Sequence, residues 1–304
     1  MPLLSGEAPE RFTRMHADEL ELDAELVRRL LAEQLPQWAG RTIERVPSSG
    51  TDNALFRLGD DLVARLPRVG GAVRGLEKEL RLLPELAPRL PVDVPAPLAR
   101  GAPAEDYPWT WAVYPWLDGE NPDPGGADGA VDDLAAFVQA LHRLDLPDGP
   151  SGRRSSLARV DDGVRAGLAE LHGTIDVGAA TAAWDEALAA PEWPGPPVWT
   201  HGDLLPGNVL LRGGRLAGVI DWGVVGVGDP ACDMLAPWSV LSARTRDRFR
   251  AALGVDDATW ARGRGWALTV GIVGIPYYQD TNPPFAAMGK HMVEEVLAER
   301  AARH

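Results

Sequence analysis

The stretch HGDLLPGNVLL, residues 201–211, sets the Asp203 carboxylate and the Asn208 amide five residues apart, just ahead of a short apolar run. Thirteen residues past Asn208, IDWG supplies a second carboxylate, Asp221. Each aspartate alone reads as a turn or helix-cap residue. At these joint offsets they suit the transfer of a phosphoryl group. A donor bound to Mg²⁺ needs hard oxygen ligands in a near-octahedral shell, and a carboxylate and an amide from separate loops supply part of it. The acceptor hydroxyl needs a nearby carboxylate to orient it and take its proton. Between the motifs, RGGR at 212–215 lies between the apolar runs 209–211 and 216–220, the pattern of a tight hairpin. Such a hairpin brings Asn208 and Asp221 to the same end of two adjacent strands, within reach of one metal.

Protein kinases also place a catalytic-loop Asp and Asn five apart, and an Asp opening a D-x-G motif holds metal there. On HGDLLPGNVLL, on GVIDWGVVGVGDPACDM and on the order of its predicted elements, the sequence resembles the aminoglycoside phosphotransferase family. That family is the antibiotic-kinase branch of the protein-kinase-like fold, and the resemblance runs over roughly residues 20–300. It implies that Asp203 is the catalytic base or hydroxyl-orienting carboxylate, that Asn208 and Asp221 ligate Mg²⁺, and that ATP (or GTP) is the donor. It gives structural roles to three further residues. His201 holds the loop's shape, while Asp229 and Asp233 serve as a helix cap and as a partner for the loop backbone or for His201.

The small-lobe match is looser. The phosphate-loop candidate is SSGTDN at 48–53, where Ser48, Ser49 and the single Gly50 offer hydroxyl and backbone N–H groups. The strand lysine of protein kinases is missing. LVAR at 62–65 puts Arg65 in its place, with Glu79 as expected partner and Glu77 as the alternative. Arginine grips phosphate bidentately but differs from lysine in size and shape. Residues 113–117, including Pro115 and Leu117, form the expected purine-recognising hinge.

These residues require a particular scaffold. Asp23 caps a predicted helix reaching about residue 35, where Pro36 follows. Strands are expected at 42–47, 54–58, 62–66, 94–98 and 110–117, with a helix at 72–86 whose last turn Pro84 puts in question. After a Pro/Gly/Asp loop come helices at 130–144 and within 156–190, then the hairpin, and a helical pattern beyond Asp229 broken near 280–284. The expected fold class is α+β: a bilobal kinase-like molecule with a small β-rich N-terminal lobe and a larger helical C-terminal lobe. Residues 1–19 read as an N-terminal extension, 20–117 as the nucleotide-binding lobe, and 118–304 as the catalytic and acceptor-binding lobe.

Composition narrows the partners. Hydrophobic residues make up 45% and charged residues 24% of the 304, an ordinary globular balance. One cysteine, Cys232, cannot build a disulfide framework or a structural zinc site. No apolar run is long enough to span a bilayer, so a cytoplasmic protein without a membrane partner is expected. The net charge is −14, and residues 101–200 alone hold 17 acidic against 5 basic side chains. That balance argues against nucleic acid. It favours a small cationic acceptor, although a solvated acidic surface gives the same excess. Trp238, Tyr278 and Asp280 are candidates for acceptor binding, and the 11 tryptophans would equally suit a broad apolar cleft for a macrolide-like molecule. The leading expectation is a kinase of an antibiotic hydroxyl, active as a monomer or homodimer. A kinase of a housekeeping amino alcohol or sugar metabolite and a nucleotide-binding pseudokinase are the alternatives.

Overall fold

A five-stranded sheet forms the floor of the N-terminal half, in a computed structural model that describes residues 20, 22–47, 52–104, 106–146, 149–152, 154 and 156–303. The expected extension 1–19 lies outside those residues. Helix α1, Ala24–Gln34, opens at Asp23, whose carboxylate accepts from the Leu26 N–H at 2.7 Å. It buries Leu26, Val27, Leu30 and Leu31. The strands are β1 (Ile43–Arg45), β2 (Asn53–Leu58), β3 (Leu62–Pro67), β4 (Ala99–Gly101) and β5 (Trp111–Pro115), ordered β1-β2-β3-β5-β4 and antiparallel throughout.

Alternation along β3 decides where its arginine goes. Leu62, Ala64 and Leu66 join Ala54, Phe56 and Leu58 in a core with the α1 leucines. Arg65 is therefore turned to the other face. There Val63 packs with Leu76, Ala112 and Tyr114 under helix α2, Val73–Leu86. This helix continues through Pro84, because Leu83 and Leu86 are fully buried and one missing hydrogen bond in the last turn is offset by their packing. The strand expected at 94–98 is absent. Pro95 and Pro97 remove two donors, so hydrogen bonding to β5 begins only with the Leu98 N–H, on the Val113 carbonyl at 2.8 Å, and the strand itself at Ala99.

The C-terminal half is mainly helical. Its helices are α3 (Val131–His142), α4 (Asp161–Glu170), α5 (Val177–Leu188), α6 (Ala236–Ser239), α7 (Ala243–Leu253), α8 (Asp257–Tyr278) and α9 (Pro283–Ala301). Phe137, Trp184, Trp199, Trp222, Trp238 and Trp260 sit in one continuous core. No helix among the described residues is long and apolar enough to cross a membrane. Two short ribbons lie in this half: β6 (Val198–Thr200) with β9 (Gly226–Gly228), and β7 (Val209–Arg212) with β8 (Arg215–Val219). Gly213 and Gly214 have φ of +58° and +75°, as a two-residue turn matched to strand twist requires.

The β7–β8 hairpin ties the halves together. Glu120 exchanges both backbone hydrogen bonds with Leu211, at 2.9 and 2.8 Å. On the other edge, the Asp93 N–H donates to Ala217 at 2.9 Å and the Asp93 carbonyl accepts from Val219 at 3.0 Å. Chain on its way into β4 and chain leaving β5 thus flank the hairpin on its two edges.

Candidate active site

The hairpin register places the two motif ends side by side. Val209 lies opposite Val219, and the Ile220 N–H donates to the Asn208 carbonyl at 2.9 Å. Asn208 and Asp221 therefore meet at the end remote from the glycine turn. Asn208 Nδ2 reaches back to the Asp203 carbonyl at 2.8 Å and to Asp203 Oδ2 at 3.1 Å. Because the amide nitrogen is used in this way, Oδ1 points away from that bond and is the amide atom that could ligate a metal. Asn121 Nδ2 closes the loop from outside, donating to the carbonyls of Pro206, Gly207 and Val209 at 3.2, 3.0 and 2.9 Å.

Beneath the loop sits a fully buried carboxylate, Asp233. It accepts from the N–H groups of His201 at 3.3 Å and Gly202 at 2.7 Å, and its Oδ2 is 3.0 Å from His142 Nε2. The His201 ring is buried edge-on to Trp222, with centroids 4.7 Å apart. Its Nε2 faces the Ile220 carbonyl at 3.1 Å, and its Nδ1 accepts from the Asp203 N–H at 3.2 Å. Those partners assign one neutral tautomer. Burial pushes the imidazole pKa down, against the pull of Asp233. Asp229 caps the turn that follows, accepting from the Ala231 N–H at 2.9 Å while Arg262 Nε holds its other oxygen at 2.6 Å.

Arg65 spans both halves. Its Nη1 donates to both oxygens of Glu79 at 2.8 Å, and its Nη2 to Asp221 Oδ1 at 2.8 Å. With its amide turned to suit them, Asn53 Oδ1 accepts from Arg65 Nε at 3.2 Å and Nη2 at 3.0 Å. Glu79 is 1% exposed and also accepts from the Tyr114 hydroxyl at 2.9 Å. Glu77, the alternative partner, instead faces Arg100 at 3.6 Å. Burial raises the Glu79 carboxyl pKa despite Arg65, and it raises the Tyr114 hydroxyl too, which stays a neutral donor. Burial works against the charge of Arg65, but Glu79 and then Asp221 outweigh it and keep the guanidinium protonated. The packing around Asp221 opposes its charge, yet Arg65 holds that carboxyl below its usual range. Asp221 also has φ of +59°, the left-handed region that Asp tolerates better than most residues. Close backbone approach keeps α2 against this turn: a Cβ on Gly75 would stand 3.2 Å from Gly223 Cα.

Other expected positions fall elsewhere. Ser48, Ser49 and Gly50 lie outside the described residues. At the hinge, the Trp116 N–H is already bound to the Asp61 carbonyl at 2.8 Å. Pro115 has no N–H and offers no donor there. Trp238, expected to face the acceptor, is instead fully buried, tilted against Trp260 with its Nε1 on Glu299 at 2.7 Å. An indole with both its surface and its donor satisfied inside the core has nothing to offer a ligand. Tyr278 packs on Phe285 at a centroid distance of 4.7 Å, and Asp280 is exposed at the turn into α9.

Three polar residues at the site were not legible beforehand. Asn121, His142 and Arg154 come from separate segments, and none shares a motif with the residues it supports. Arg154 donates from Nη2 to Asp203 Oδ1 at 2.9 Å and from Nε to the Gly202 carbonyl.

A model of the phosphotransferase enzyme family matches residues 42–266, and the chain belongs to that family. An aminoglycoside 3'-phosphotransferase of Streptomyces fradiae is 36% identical over 140 residues, a stretch that covers 43% of this chain and 47% of that one. The chain thus spans about half the length of this curated relative. An uncharacterized protein of Bacillus subtilis, YcbJ, is 29% identical over 231 residues, covering 67% of this chain and 70% of its own. Among solved structures, the GDP and kanamycin complex of APH(2")-IIia superposes with a TM-score of 0.67 at 19% identity, over 90% of this chain and 99% of that one. Macrolide 2'-phosphotransferase MphH of Brachybacterium faecium gives 0.58 at 25% identity, over 87% and 97%. The protein-kinase-like fold expected from the motifs is the observed one.

Proposed function

We propose that the chain transfers the γ-phosphoryl group of ATP (or GTP) to a hydroxyl of an antibiotic such as an aminoglycoside or macrolide. The observation that carries this reading is the meeting of Asp203, Asn208 and Asp221 at one end of the hairpin, with the Arg65–Glu79 pair facing Asp221. Asp203 orients the acceptor hydroxyl and takes its proton as the oxygen bonds to the γ-phosphorus. The bond to the bridging oxygen of the β-phosphate breaks, and the nucleoside diphosphate leaves. Asn208 Oδ1 and the Asp221 carboxylate are two hard oxygen donors, a set that fits Mg²⁺, which keeps several waters and shares the rest of its shell with phosphates. No cluster of three or more His, Cys, Asp or Glu among the described residues competes for a metal. When bound, the metal would neutralise charge on the transferring group. Arg65 takes the place of the strand lysine: freed from Asp221 and still held by Glu79, Nη2 turns to the donor phosphates.

An apolar stripe on α8 supports an acceptor with an apolar face. Trp266, Val270, Val273 and Tyr277 recur on one side of α8 at helical spacing. Trp266 lies under Arg154, which touches Asp203, and the stripe emerges into solvent at Val273 and Tyr277, 42% and 58% exposed.

A nucleotide-consumption screen tests the reading, using Mg²⁺ with ATP or GTP against aminoglycosides, macrolides and small amino alcohols. Turnover of an antibiotic is expected, and Asp203→Ala should lower kcat about 10²- to 10⁴-fold without unfolding the protein. Nucleotide binding without turnover of any acceptor would make the chain a pseudokinase. Turnover confined to amino alcohols would make it a metabolic kinase.

A further inference from the structure

Both oxygens of Asp203 carry a donor. Asn208 Nδ2 takes Oδ2, and Arg154 Nη2 takes Oδ1 at 2.9 Å. Arg154 Nε binds the carbonyl of the preceding residue, Gly202. One guanidinium thus grips the loop through side chain and backbone together, a forked geometry that arginine offers and lysine does not.

The seat of this arginine is built into the fold. The segment before it extends the β6–β9 ribbon: the Gly152 N–H donates to Val227 at 2.9 Å, the Val227 N–H to Pro150 at 2.8 Å, and Ser151 bridges Val227 in parallel. Contact is so close that a Cβ on Gly226 would stand 2.6 Å from the Pro150 carbonyl and 2.7 Å from Gly152. The Arg154 carbonyl accepts from Cys232 Sγ at 2.8 Å. Its guanidinium carbon lies 5.7 Å from the Trp266 ring centroid, and the side chain is only 17% exposed. A casual surface ion pair has none of these anchors.

We propose that Arg154 is a positioning residue for the transfer: it locks the Asp203 carboxylate in one orientation, against Asn208, so that the acceptor hydroxyl meets a fixed oxygen. This inference rests on the phosphotransfer reading above. The side-chain hydrogen bonds of Arg154 go to Asp203 and Gly202, not to Arg65, Asn208 or Asp221, the groups assigned to the nucleotide and metal. Its loss should therefore appear in kcat rather than in nucleotide KM.

Steady-state kinetics on the full chain test it. Arg154→Ala should lower kcat about 10- to 100-fold, the scale of a misaligned reacting group, with nucleotide KM within about twofold of the parent. Arg154→Lys should fall between the two. Millimolar guanidinium ion should restore part of the lost rate in Arg154→Ala and none in Asp203→Ala. Amide hydrogen exchange gives a readout that needs no turnover: residues 201–208 should exchange faster in Arg154→Ala, with α9 unchanged. Unchanged kcat, or a nucleotide KM that rises in step with the fall in kcat, would overturn the proposal, and so would a rate loss indifferent to guanidinium. If the parent protein transfers phosphate to no acceptor, the kinase reading fails. The exchange experiment then decides alone, with faster exchange confined to 201–208 supporting the positioning role and unchanged exchange there refuting it.

Discussion

Arg65 shows how one substitution of residue type reshapes a site. A lysine ammonium is a point charge on a flexible stem, whereas a guanidinium presents separate donors in a plane. Here Nη1 serves Glu79 and Nη2 serves Asp221, so one side chain closes the gap between sheet and hairpin. Arg65→Lys has a single nitrogen, committed to Glu79, and so no second one to turn from Asp221 to the donor phosphates. Loss of one charge-assisted hydrogen bond costs about 1.5 kcal/mol, roughly tenfold in binding. Nucleotide KM in the variant should therefore rise about tenfold while the circular dichroism spectrum is kept. An unchanged KM would place the donor phosphates away from Arg65. The sequence pointed to Arg65 and Glu79 because strand alternation and helical spacing are local signals. It put Glu79 first and kept Glu77 as the alternative, since the decision depends on which face of α2 the sheet covers. Arg154 was invisible for a related reason: its partner lies 49 positions away, and no spacing rule links them.

At the scale of elements, the loop that carries Asp203 owes its shape to groups beneath it. Asp233 collects two backbone N–H groups and a histidine in a fully buried pocket. Asp233→Asn turns one acceptor oxygen into a donor facing donors. An orphaned buried group of this kind costs about 1–3 kcal/mol, which should appear as a lower urea midpoint with an unchanged m-value. His201 adds a pH dependence. Burial lowers its pKa in the folded chain below the ordinary value of 6.5, so the unfolded chain takes up a proton first as pH falls. The stability tied to the neutral ring is intact above about pH 6.5 and is lost as pH drops toward the folded value. Tm should decline below pH 6.5, and His201→Gln should flatten that decline; an equal slope in both proteins would clear His201 of the effect. Most elements were legible from caps and periodicity, as Asp23 before α1 and the Gly213-Gly214 turn illustrate. Ribbon β6–β9 was not, because strands of three residues pair over a long separation and carry too little pattern to register. The strand misplaced onto 94–98 failed at its prolines, whose backbone cost outweighed the apolar alternation around them.

Across the whole molecule, the distribution of charge separates the two classes of acceptor. The acidic excess of residues 101–200 suggested a cleft that gathers a polycation. Several of those carboxylates are instead committed to the chain's own groups. Asp132 pairs with Arg248, Asp133 with Arg215, Asp161 with Arg165, and Asp128 with Arg244, Ser242 and Thr245. Their position matters as much as their pairing. Arg215 begins β8 beside the Gly213-Gly214 turn, the end of the hairpin opposite Asn208 and Asp221, about 13 Å away at strand spacing. That exceeds the screening length of roughly 8 Å at physiological ionic strength, so the Asp133–Arg215 pair does little to steer a ligand toward Asp203, and the other three carboxylates are offset by their own partners. Close to Asp203 stands a cation, Arg154, and beyond it the apolar stripe of α8 that ends at Val273 and Tyr277. An acceptor held by that surface binds through buried area, which salt barely screens. Its KM should therefore stay within about twofold between low and physiological ionic strength in steady-state assays with saturating nucleotide. A KM that climbs several-fold over the same range would restore the polycation, and with it an acidic wall built by groups other than these four aspartates.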